Sequence, residues 1–206
     1  MRTTRGLDRF VTFVDAVVAI AITLLVLPLV DIAGDVGDRS LPDLLRANAD
    51  EVGAFLLSFV VIARLWRTHH RLGELVDGYD RVFVDGTLAW ALTIVVLPFP
   101  TSLVSVYGTS RWSVALYLGT MFVSSACLSL VAWHVQRTPA VQREGVGPAD
   151  LSALPTLVNA AFLGLALVVG LVLPAVNFLA LLLLLLAQPT VRWWTHRHPV
   201  AGPLHG

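Results

Sequence analysis

Apolar residues run through this chain in long unbroken blocks, and polar residues collect in the short stretches between them. The blocks lie at about 9–30, 50–75, 82–106, 112–135, 153–173 and 175–195. Each is close to the roughly 20 residues that a helix needs to cross a bilayer. Within each block the apolar residues are continuous rather than alternating, so helices are expected and not a barrel. The stretch "DIAGDVGDRSLPD" follows the first block, and "RTPAVQREGVGPAD" separates the fourth from the fifth. Leu173-Pro174-Ala175 is a tight break, so the last two blocks should form a hairpin. The expectation is an all-α membrane protein. It has a single domain of six transmembrane helices over residues 1–206, with no soluble domain and no internal repeat. The first block is long enough to span and no small-residue cleavage site follows it, so no signal peptide is expected.

Composition agrees with the pattern. Hydrophobic residues make up 56% of the 206, and mean hydropathy is +0.77. Arginine placement sets the orientation. One side carries Arg2, Arg5, Arg9, Arg64, Arg67, Arg71, Arg81, Arg137, Arg143, Arg192 and Arg197; the other carries Arg39, Arg46 and Arg111. An even number of spans puts both termini on the arginine-rich side, which is expected to be cytoplasmic. The single cysteine, Cys127, excludes an intramolecular disulfide and supports no cysteine metal cluster.

The first block, "RFVTFVDAVVAIAITLLVLPL", carries the candidate chemistry. At about 100° per residue, Arg9, Phe13, Ile20, Thr23 or Leu24, and Leu27 fall on one stripe of a helix. Asp15 points well away from that stripe. A carboxylate at membrane depth is costly without a partner. Arg64, Arg67, His69 and His70, at the inner end of the second block, are candidates. Asp85, four residues after Arg81, is expected in the same layer. Trp90 sits further along the third block, where it is a candidate to pack against the histidine pair.

Arg9-x-x-x-Phe13-x-Asp15 resembles the R-x-x-x-F-S-D signature that opens the first helix in the transmembrane protein 175 family of potassium channels. "LWRTHHRL" (65–72), with Trp66, His69 and His70, resembles the W-x-x-H-H-R pattern ending that family's second helix, and "LPFPTSL" (97–103) its P-F-P-T stretch. The resemblance covers the first half of the chain. Position 14 is Val where the signature has Ser, so the hydroxyl that Ser would offer Asp15 or a neighbouring helix is absent. Asp85 stands where such proteins tend to carry Asn, a second carboxylate in place of some of that lost polar contact. The resemblance implies a bacterial inner-membrane channel without a carbonyl selectivity filter. It would be a homotetramer whose first helix lines a central pore. Mapped onto this chain, the constriction layers are Ile20, Leu24 and Leu27, with Thr23 as the one hydroxyl. The implied partners are further copies of the chain, the bilayer and permeant potassium ions, with no cofactor, metal or nucleic acid.

Other readings weigh less. "VSVYG" (104–108) lacks the middle glycine of a carbonyl filter and ends a helix, with Gly108 near its cap. His69 and His70 diverge by about 100° on a helix and do not chelate one ion from one face. No Ser-His pairing, H-E-x-x-H or carboxylate cluster supports an enzyme. A small secondary transporter would place polar groups near the midplane, where the first block holds only Thr23. A structural membrane protein stays open, because pore rings and packing stripes look alike in one sequence.

Overall fold

A computed structural model describes residues 4–34, 40–108 and 110–172. Among them the elements are α1 (Thr4–Leu24), α2 (Leu27–Gly34), α3 (Leu41–Ala47), α4 (Ala49–Glu74), α5 (Arg81–Val96), α6 (Pro98–Tyr107), α7 (Arg111–Arg137) and α8 (Leu154–Val172), with a short 3-10 turn at Pro139–Val141. The expected sixth span, 175–195, lies outside the described residues.

Prolines divide two of the expected spans. Pro28 has no N–H to give the Leu24 carbonyl, so the ladder fails there. The amides of Leu25 and Val26 instead bond three residues back, to Ile22 and Thr23, each at 3.3 Å. Pro98 and Pro100 break the third span in the same way, and Leu97 bonds back to Ile94 at 3.2 Å. Taken across these breaks, Arg5–Ile32, Arg81–Tyr107, Arg111–Arg137 and Leu154–Val172 are long and apolar enough to cross a membrane. Helix α4 is long but outside that group. Its charges approach from both ends and leave only 52–63 uncharged, about 18 Å of helix against a hydrocarbon core of about 30 Å.

The larger of two apolar clusters among the described residues joins α1, α4, α5 and α7. Val14, Val18 and Ala21 of α1, with Leu25 just past its end, meet Ile62 and Leu65 of α4, Trp90 and Ile94 of α5, and Leu118 and Met121 of α7. Helices α5 and α7 approach closely at Gly86, where an added Cβ would lie 2.7 Å from Val131 Cγ2. A polar chain crosses the core. Thr101 Oγ1 donates to the Leu97 carbonyl at 2.8 Å. That hydroxyl has one proton, so Ser58 Oγ donates to Thr101 Oγ1 at 2.9 Å and Tyr117 Oη donates to Ser58 Oγ at 3.0 Å. All three residues are buried. The chain holds α6, just past its proline break, against α4 and α7.

At one end of the bundle the α4–α5 and α7–α8 connections are stitched together. Val76 pairs with Gln142 in an isolated antiparallel bridge, and the Arg143 amide donates to the Leu75 carbonyl at 2.9 Å. Arg143 Nε also bonds Asp77 Oδ1 at 2.9 Å. Asp80 caps α5 by accepting from the Phe83 amide at 2.8 Å, and its other oxygen meets His134 Nε2 of α7 at 2.8 Å. Partial burial raises the Asp80 carboxyl, but the Phe83 amide and the His134 contact together outweigh it. The net displacement is below the ordinary carboxylate value.

Candidate functional site

Helix α1 has two apolar faces with different surroundings. Val14, Val18, Ala21 and Leu25 repeat at helical spacing and are buried in the core. On the opposite side Phe13 is 56% exposed, Ile20 61%, Leu24 41% and Leu27 54%. Arg9 and Thr23 are exposed on that side as well. The expected stripe is therefore the one that the rest of the bundle leaves uncovered. It crosses the Leu25–Val26 turn, so Leu27 projects from the first turn of α2 rather than from α1. The Thr23 hydroxyl donates to the Ile20 carbonyl at 2.7 Å. Its proton is thus committed to the backbone, and its lone pairs face outward.

Asp15 lies between the two faces and is half-buried. The group that meets it is Trp66, whose indole Nε1 donates to Asp15 Oδ1 at 2.8 Å. Trp66 in turn stacks on His70, with ring centroids 5.3 Å apart. His70 Nε2 is 3.9 Å from Glu74 Oε1. His69 is buried at 1% exposure and stacks almost parallel on Trp90 at 4.4 Å and 14°. The W-x-x-H-H segment therefore works in two directions, with Trp66 and His70 toward α1 and His69 toward α5.

Three expected placements differ. The direct partner of Asp15 is the Trp66 indole. Arg64 lines a separate cavity between α4, α7 and α8. Asp85 stands on an exposed face of α5, 3.4 Å from Arg81 Nε, with both side chains largely in the open. It supplies no polar contact beside position 14. Val14 itself is fully buried among apolar side chains, and Asp15 obtains its hydrogen bond from across the helix interface instead. The segment "VSVYG" closes α6, with Gly108 at positive φ just beyond it.

The Ser58–Thr101–Tyr117 chain and the Asp80–His134 pair have no counterpart in the sequence reading. The capping role of Asp80 had a local signal, an Asp immediately before an apolar helix. The Ser58–Tyr117 contact joins residues 59 apart and has none.

A family model described as the endosomal/lysosomal potassium channel TMEM175 matches residues 9–98. A potassium channel of Streptomyces collinus is 31% identical over 134 residues, which is 63% of this chain and 65% of that protein. A potassium channel of Chamaesiphon minutus is 37% identical over 134 residues, 61% of this chain and 63% of that protein. The chain thus spans slightly less than two thirds of the length of these relatives. The human endosomal/lysosomal proton channel TMEM175 is 26% identical over 144 residues, 66% of this chain and 28% of that protein. The crystal structure of a lysosomal potassium-selective channel TMEM175 homolog from Chamaesiphon minutus superposes with a TM-score of 0.71 at 23% identity, covering 91% of this chain and 98% of that one. That likeness is one of fold. The matched region holds Arg9 and Phe13 on the exposed face of α1, and Asp15, Trp66, His69 and His70, whose contacts tie α1 to α4 and α4 to α5; over that region the chain is similar to TMEM175.

Proposed function

We propose that this chain is one subunit of a potassium-permeable cation channel, not an enzyme, with a pore lined by α1 and no carbonyl filter. The observation that carries this reading is the uncovered apolar stripe of Phe13, Ile20, Leu24 and Leu27, opposite a buried face on the same helix. One α1 cannot enclose a pore. A homotetramer turns each exposed residue into a ring about the axis. Six spans, with 50–75 and 175–195 added to the four found among the described residues, place both termini on the arginine-rich cytoplasmic side of a bacterial inner membrane. The names of the two bacterial relatives, both potassium channels, support potassium as the permeant ion.

Rings of branched apolar side chains close a pore by dewetting. Passage requires small rotations of α1 that widen the rings at Ile20, Leu24 and Leu27. Potassium passes more readily than sodium because it gives up its hydration shell at lower cost. Thr23 adds hydroxyl lone pairs beside the narrowest layer. Asp15 and Trp66 hold the rotational setting of α1 against α4, and the stacks at His69 and His70 extend that hold to α5 and along α4.

The test is ion flux from liposomes holding the purified protein. Potassium flux above sodium flux is expected, and Ile20→Asn should raise conductance and weaken the preference. An absence of flux, or a flux that saturates and couples stoichiometrically to a second ion, would replace the channel by a structural protein or a transporter. Unchanged currents in Ile20→Asn would remove Ile20 from the constriction.

A further inference from the structure

Away from α1, a cavity of about 260 Å³ opens between α4, α7 and α8. Arg64, Thr68 and Arg71 line it from one face of α4, at helical spacings of four and three residues. Facing them are Ser125 of α7 and Thr156 and Asn159 of α8. Asn159 is half-used. One end of its carboxamide bonds Ser125 Oγ at 2.8 Å, while the other is buried and has no partner among the described residues. Asp150 and Ser152 stand at the mouth, and the remaining walls are leucine, alanine and proline. Two guanidiniums against one carboxylate make the lining net positive.

Leu75, Asp150, Leu151 and Ser152 place the cavity at the end of the bundle where the inter-helix connections are stitched together, a helix-end position that falls toward lipid headgroups if the chain spans a membrane as proposed. Its volume exceeds the ~150 Å³ that admits a benzene ring and falls short of a two-chain lipid, so it suits a headgroup. We infer that it binds the phosphoglycerol headgroup of an anionic phospholipid. Arg64 and Arg71 hold the phosphate, and basic pockets between membrane helices recognise such groups. The glycerol hydroxyls donate to the Asp150 carboxylate and, as the Asn159 carboxamide turns toward them, to its unpartnered Oδ1. The acyl chains leave along the apolar wall of Leu72 and Leu128. The site is separate from the proposed pore, and it ties α4, which carries Trp66, to the outer helices.

Native mass spectrometry of the full-length protein in mild detergent tests the site. The protein is titrated separately with phosphatidylglycerol, phosphatidylethanolamine, phosphatidylcholine and inorganic phosphate. Retention of one phosphatidylglycerol per subunit is expected, at least tenfold more tightly than either zwitterionic lipid. Arg71→Gln, at an exposed position that folding tolerates, should weaken it at least tenfold. Arg67→Gln removes the same charge from a residue of α4 that does not line the cavity and should leave retention unchanged. Equal retention of the three lipids, or wild-type retention by Arg71→Gln, would overturn the site. Inorganic phosphate binding as tightly as phosphatidylglycerol would overturn the lipid assignment. The measurement reads binding and not flux, so its outcome is independent of the channel reading.

Discussion

Asp15 shows how a membrane-depth carboxylate takes a neutral donor from a neighbouring helix. A single indole N–H from Trp66 meets it at 2.8 Å. Removing that donor leaves a half-buried carboxylate short of a bond, a loss of about 1–3 kcal/mol. Trp66→Phe, which keeps most of the ring, should therefore lower the melting temperature of the purified protein clearly. Asp15→Asn keeps an acceptor for Trp66 and should cost less. Equal losses in the two variants would show that the charge of Asp15, not the acceptor it offers Trp66, carries the contribution. The need for a partner on the second block was legible in the sequence; its identity was not. Charge matching favoured arginine and histidine, whereas the rotation of α4 decides which side chain reaches α1. Trp66 and His70 are four residues apart and share that face, while Arg64 turns to the cavity on another. Asp85 follows the same logic. Its spacing from Arg81 is itself a helix-surface pairing, and the structure keeps the two together in the open.

At the scale of elements, the prolines and the polar chain act together. Pro98 and Pro100 interrupt the third span, and the hydroxyl relay Tyr117 to Ser58 to Thr101 to the Leu97 carbonyl fixes α6 beyond the break. Thr101→Val strips Ser58 of its acceptor and should destabilise by about 1–3 kcal/mol. Tyr117→Phe leaves Ser58 still donating to Thr101 and should cost about 1 kcal/mol. The double variant should lose less than the two losses added, with a coupling of at least about 0.5 kcal/mol; strict additivity in denaturant titrations would show that there is no relay. The pH response of the bundle end is set by Asp80. Its folded carboxyl titrates below the ordinary value, so the stability it adds is fully present above the unfolded value of about 4 and is lost as pH falls through the folded one. Asp80→Ala, which loses the cap, should cost about 1 kcal/mol at neutral pH. The gap from wild type should then narrow in melting curves taken progressively below pH 4. A gap that stays constant on acidification would contradict this role. Sequence reading has a local signal for the break in the third block, at Pro98 and Pro100. The Leu25–Val26 break escaped it because Pro28 sits inside an otherwise uniform apolar run.

For the whole molecule, hydropathy blocks mark where long apolar helices run, but not which faces meet other copies. The distinction matters most on α1, where both faces are apolar and only packing separates them. Val18 is 2% exposed and Ile20 61% exposed, although they are two residues apart. In a homotetramer with α1 at the axis, a cysteine at position 20 forms a ring of four thiols, and a cysteine at 18 stays inside each subunit. Soft thiolates bind cadmium strongly, and a ring of them converging on one point binds it best. With Cys127, the single native cysteine, replaced by Ser, micromolar cadmium should therefore reduce potassium flux through Ile20→Cys by at least about tenfold and leave the cysteine-free parent and Val18→Cys unaffected. The comparison separates pore lining from general access, since both positions lie at nearly the same depth and differ only in direction. Block in Val18→Cys but not in Ile20→Cys would turn α1 around and place the other face on the axis. Cadmium sensitivity in neither would take α1 off the axis altogether, leaving its exposed stripe to lipid.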